Sequence, residues 1–193
     1  MATGFVLSER GLLGLYPAVA YTVMAAYAVR SGKLRVGQAT PSQLLLGVLP
    51  HTLIMGLLGV SGQAFLAPTS TYRVVSAALS AFVEEAFFRG ALRLEAEGAS
   101  PRVGGPLSSA AFTLFHVPFR EPEKGLWLVP SYFVLGETLR LCYVARGWAG
   151  AALMHFVYNV AAYLYVALNS LQAAIVVLAA HVVTYAVARL MLS

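Results

Sequence analysis

The sequence predicts an all-α fold, a polytopic integral membrane helical bundle of about seven transmembrane helices, and three observations lead there. Of 193 residues, 59% are hydrophobic and 11% charged, against roughly 25% charged in soluble domains. Mean hydropathy is +0.74. The apolar residues gather into runs long enough to cross ~30 Å of hydrocarbon, where a helix satisfies its own backbone polar groups.

Taken in order, the runs cover about Gly11 to Val29, Gln43 to Val60, Tyr72 to Leu94, Leu126 to Ala145, Trp148 to Leu168 and Leu171 to Leu192, with a shorter one between Gly104 and Phe119. Turn-forming and charged residues mark the connections at Arg30 to Arg35, Ser61 to Ser70, Glu95 to Pro106, Pro118 to Gly125 and Arg146-Gly147. No linker is long enough to divide the chain and no repeat is visible. Residues 1–193 therefore read as a single membrane domain. The first run is too long for the apolar core of a signal peptide and is expected to stay as an anchor.

The net charge of +5 and isoelectric point near 9.6 do not indicate a nucleic-acid face, because Lys and Arg sit in short loops and at helix ends rather than in a stripe. Their distribution instead orients the chain. Arg30, Lys33, Arg35, Arg93, Arg102, Arg146 and Arg189 fall on one side, which predicts an outer N-terminus and an inner C-terminus. The single cysteine, Cys142, excludes an internal disulfide and reads as a packed thiol.

Against this apolar background one stretch stands out, Glu84-Glu85-Ala86-Phe87-Phe88-Arg89-Gly90. Charges at membrane depth cost at least ~2.5–3.5 kcal/mol each, so they are paired or functional. Helical spacing puts Glu85 and Arg89 on one face as a pair and turns Glu84 away from Arg89. Two further polar signatures follow on later apolar segments, Phe112-x-x-x-His116 and His155-x-x-x-Asn159. Counted from the inner helix ends at 1.5 Å per residue, Glu84, His116 and His155 lie at similar depths of ~10–18 Å. A carboxylate, two imidazoles and an amide meeting in a dry cavity can activate water and hold an oxyanion, the needs of amide hydrolysis.

These three motifs, in this order and on separate helices, resemble the CAAX protease and bacteriocin-processing family, intramembrane endopeptidases similar to the type II prenyl-protein protease. The resemblance runs from about Tyr72 to Tyr163, and Gly136 through Arg146-Gly147 resembles the turn before the family's last motif. It implies Glu84 as general base, His116 as partner for the water or the leaving amine, and His155 and Asn159 as oxyanion holders. Glu85, Arg89 and Phe112 are supporting residues. No cofactor is favoured; the alternative is a divalent metal such as zinc on His116, His155 and Glu84, although the chain has no HExxH pair. The implied partners are a membrane-anchored protein or peptide substrate and the bilayer. The implied location is the inner membrane of a prokaryotic cell, crossed many times. Substrate classes left open are prenylated C-termini, leader peptides and C-terminal sorting tails, the last fitting a small myxosortase-like subgroup.

Rival readings attach to other residues. A non-catalytic scaffold or bacteriocin-immunity protein fits the same helices. Gly59-Val60-Ser61-Gly62 matches the nucleophile motif of rhomboid serine proteases, but the HxxxN element follows it instead of preceding it. His51 and His181 read as hydrogen-bonded core or interfacial histidines, Glu137 and Arg140 as a mutual pair, and Trp148 as an interface anchor.

Overall fold

The computed structural model describes residues 19–100, 102–116, 122–167 and 170–193. The start of the first apolar run and much of the connection from Pro118 to Gly125 lie outside these residues. Helix α1 covers residues 19–31. It is followed by α2 (Pro41–Val60), β1 (Ala64–Leu66), α3 (Thr71–Glu85), a π-helical segment (Ala86–Leu92), α4 (Arg93–Ala99), α5 (Gly104–His116), α6 (Pro122–Ala162), β2 (Tyr165–Ala167) and α7 (Leu171–Leu192). Two of these, Pro41–Val60 and Leu171–Leu192, are long and apolar enough to cross a membrane. The helices that carry Glu84, Glu85, Arg89, Glu137 and Arg140 hold more charge, for a reason the site makes plain.

Local sequence sets several helix starts. Pro41 occupies the first turn of α2, where its missing N–H is no loss, and the Gln43 side chain accepts from the Thr40 N–H at 2.7 Å. Ser70 and Ser170 cap α3 and α7 by accepting from the backbone of Arg73 and Ala173. Helix α6 packs against α2, α3, α5 and α7 and forms the centre of the bundle. Its buried Leu139, Cys142, Tyr143 and Met154 share one core with Leu46, Phe88 and Phe112.

Two expectations are corrected. The run from Trp148 to Leu168 is not one helix: α6 ends at Ala162, and Tyr165–Ala167 pairs antiparallel with Ala64–Leu66, Tyr165 opposite Leu66. Aromatic and β-branched residues such as Tyr165 and Val166 suit a strand, but hydropathy could not reveal a partner a hundred residues away. The run from Tyr72 to Leu94 is likewise not a plain α-helix, since it widens into a π-helix just after Glu85.

Helix α6 breaks at Gly147, whose φ of 74° is open only to glycine at low cost. Its second arm starts with unpaired N–H groups, as any helix does. Here the loop after α1 supplies the acceptors. Trp148 and Ala149 donate to the carbonyls of Arg35 and Val36, each at 2.8 Å, and Gln38 donates back to Arg146 at 2.9 Å. The two backbones cross at Gly37 and Gly147, so tightly that a Cβ on Gly37 would lie 2.0 Å from the Arg146 carbonyl oxygen. On the other face of this joint the Trp148 indole donates to the Phe82 carbonyl at 2.9 Å, tying α6 to α3.

The crossing predicts unequal effects at two glycines with the same backbone hand. Gly32, at φ 61°, has nothing within 4 Å of an added Cβ, so Gly32→Ala costs only the ~1–2 kcal/mol of left-handed backbone. Gly37→Ala meets immovable backbone and should lower the unfolding midpoint in detergent much further. Equal midpoints for the two variants would refute the crossing.

Candidate active site

Helices α3, α5 and the second arm of α6 each bring one residue to a common point. Glu84 is buried at the end of α3, with 2% exposure, and His155 at 1% exposure faces it from α6. His116 closes α5. The Glu84 carboxylate sends Oε2 toward both rings, 3.5 Å from His116 Nε2 and 3.9 Å from His155 Nε2. Its other oxygen accepts from the Tyr21 hydroxyl at 2.8 Å. Oε2 itself, though buried, makes no hydrogen bond. Tyr21 was not anticipated, since a lone tyrosine on an apolar helix carries no spacing signal.

Each imidazole is oriented from behind. His116 Nδ1 lies 2.8 Å from the Phe112 carbonyl oxygen one turn earlier, so that nitrogen carries the proton and donates. His155 Nδ1 lies 2.8 Å from Glu85 Oε1 and donates to it. In both rings Nε2 is thereby turned to Glu84. The same Glu85 faces Arg89 through its other oxygen, with Nε 3.4 Å away and both side chains fully buried. That distance is an ion pair without a well-aligned hydrogen bond. Spacing alone indicates the Glu85–Arg89 pair; it gives no hint that Glu85 also holds His155.

Phe112 packs all of these groups. Its ring is fully buried, 4.3 Å from the His116 ring, edge-on to His155 at 5.6 Å, and covered by the Arg89 guanidinium at 4.9 Å. Arg89 also reaches Ser108 at 3.4 Å. Two glycines make this packing possible: a Cβ on Gly90 would meet Leu34 at 2.9 Å, and one on Gly136 would meet Ser109 at 3.1 Å. The π-helical turn that follows Glu85 carries Arg89 inward, a distortion of the kind found at functional sites.

Asn159 is placed differently from the rest. It sits one turn beyond His155 and donates to the Ser80 hydroxyl at 3.4 Å, while Ser80 lies one turn before Glu84. Ser61 donates to the Leu58 carbonyl at 3.0 Å at the end of α2, away from these imidazole contacts. Glu137 and Arg140 pair with each other at 2.8 Å. Among the described residues no group of three His, Cys, Asp or Glu side chains is disposed to hold a metal ion.

Residues 67–161 match the family model for type II CAAX prenyl endopeptidase, Rce1-like. This segment belongs to that family. The match takes in Glu84, Glu85, Arg89, Phe112, His116, His155 and Asn159 together, and the family is one of membrane-embedded proteases. No curated protein and no solved structure matches the chain. The Rce1-like match thus supports a CAAX-type intramembrane endopeptidase in general terms.

The geometry predicts that Glu85 carries structural weight. Replacing it with Gln leaves the buried Arg89 uncompensated and should cost ~3–5 kcal/mol, seen as a lowered thermal midpoint of purified protein. The double replacement Glu85→Leu with Arg89→Met removes both charges and should recover much of that loss. A single variant as stable as the wild type would show that the pair is not buried as described.

Proposed function

We propose that the chain is a polytopic, multi-pass protease of the prokaryotic inner membrane that hydrolyses a peptide bond near the membrane boundary of a membrane-anchored protein, with Glu84 as general base. The observation that supports this most is the bare Oε2 of Glu84, buried and facing Nε2 of His116 and His155 from two other helices. A water seated against those three atoms would touch all of them. Glu84 takes one proton from it, the water oxygen attacks the carbonyl carbon, and the carbonyl electron pair moves onto oxygen.

The oxyanion is then held by donors on α6, His155 when Nε2 is protonated and the Asn159 carboxamide, whose bond to Ser80 is long enough to exchange. Collapse breaks the C–N bond. His116 Nε2 takes from Glu84 the proton removed from water and passes it to the leaving nitrogen, so water adds across the bond and the site returns to its starting state. Tyr21, donating to the second oxygen of Glu84, fixes the carboxylate so that Oε2 stays turned to the water.

This scheme is of the glutamic type. The alternative is a divalent metal such as zinc, which would need Glu84, His116 and His155 to close up into a ligand set they do not form here and would then supply Lewis-acid polarisation of the carbonyl; the glutamic reading requires that purified active protein retain no stoichiometric metal and survive chelation. The substrate is taken to be a C-terminal tail or leader segment of an exported, membrane-anchored protein, since the short connections leave room for little recognition outside the bilayer.

Glu84→Gln keeps the shape and removes the base, so it should slow cleavage by the ~10²–10⁴-fold expected of a general base. The check is mapping of N- and C-termini of membrane proteins from host cells carrying wild type or variant at matched expression. Uncut precursors of one class should accumulate in the variant. Identical termini would instead favour a non-catalytic membrane partner, and loss of activity with Ser61→Ala alone would favour a serine mechanism.

A further inference from the structure

Apart from the Glu84 centre, the bundle holds a half-open cavity of about 210 Å³ with a mixed polar and apolar lining. Its polar lining is His51 of α2, Ser131 and Tyr132 of the first arm of α6, Tyr158 of its second arm, Tyr165 of β2 and His181 of α7, with apolar residues such as Ile54, Leu128 and Val177 between them, and among the described residues no carboxylate, Lys or Arg lines it. Its groups pair across helices. The Tyr165 hydroxyl lies 2.9 Å from His51 Nδ1 and the Tyr158 hydroxyl 2.9 Å from His181 Nε2. Because His181 Nδ1 sits 2.6 Å from the Val177 carbonyl, that nitrogen carries the proton and Tyr158 donates to Nε2.

His51 Nε2 and Ser131 Oγ are without a hydrogen bond, on residues only 5% and 3% exposed. Buried polar atoms are nearly always paired, in protein or by ordered water. The lining chooses between ligands. Among the described residues an anion finds no cation there, a cation finds no carboxylate, and an apolar group would leave His51 Nε2 and Ser131 Oγ bare. Water offers a donor and an acceptor to each, and the space far exceeds the ~15 Å³ that one molecule needs.

The cavity also shares a wall with the proposed catalytic centre. Tyr132 lines it and stacks on His116, with ring centroids 5.2 Å apart and planes 29° apart. Tyr158 follows His155 by less than one turn on the same helix. Hydrolysis consumes one water for every bond cut, and hydrocarbon does not supply it. We infer that this cavity is a resident water store that refills the Glu84–His116 centre past the Tyr132 ring, with His51 and Ser131 holding the water. The inference rests on the hydrolytic reading above.

The test uses the full chain in phosphatidylcholine nanodiscs and millisecond X-ray hydroxyl-radical labelling, which marks side chains in contact with water. His181, 3% exposed, should be oxidised several-fold faster relative to its intrinsic reactivity than Phe88 and Tyr143, which are 2% and 1% exposed in the apolar core. His51→Gln, which keeps a donor and an acceptor, should preserve that rate and precursor cleavage; His51→Leu with Ser131→Val should lower both. Wild-type rates no higher than those of Phe88 and Tyr143 overturn the inference, as does normal cleavage by a double variant whose labelling has fallen. Glu84→Gln should stop cleavage and leave cavity labelling unchanged, so failure of the water store and failure of the proteolytic reading register separately.

Discussion

A carboxylate shared between two cations or donors, Glu85, is the constraint on which the rest of the site depends. One of its oxygens accepts from His155 and the other faces Arg89. In an apolar bundle neither a bare guanidinium nor a bare carboxylate is tolerable, so the three groups stabilise one another and must be buried together. That requirement pulls α3 and the second arm of α6 into contact and gives His155 a single orientation. Glu84, next in sequence but on another face, is thereby free to meet the two Nε2 atoms. The neighbouring glutamates divide the work: one satisfies charge, and the other is left with an oxygen available to a ligand.

The packing around this pair is tight at three glycines, and at the last of them a methyl group would run into backbone. Gly90 admits Leu34, Gly136 admits Ser109, and Gly37 crosses Gly147 with backbone against backbone. The last contact reaches the chemistry directly. It ends one arm of α6 and starts the next with carbonyls of Arg35 and Val36, which fixes the direction in which the helix bearing His155 and Asn159 leaves the joint. Trp148 adds a bond to Phe82 two residues before Glu84. A loop far outside the motif region therefore takes part in aiming the site, and the two-stranded ribbon near the opposite end likewise brings Tyr165 to His51.

The sequence by itself determined the helical character, the burial of charge in Glu84-Glu85-x-x-x-Arg89, the pairing of Glu85 with Arg89, and the family of the central segment. These follow from local information: hydropathy along the chain and spacing along one helix decide which residues are apolar and which side chains share a face. The tertiary structure alone decided that Glu85 holds His155, that Tyr21 holds Glu84, that Asn159 reaches Ser80, that residues Tyr165–Ala167 leave the helix for a strand, and that α6 breaks under a loop from the first part of the chain. Each of these joins residues tens of positions apart through a single hydrogen bond or a glycine contact. Such partners have no periodicity, and physics selects them only once the helices have packed and brought buried polar groups within reach of one another.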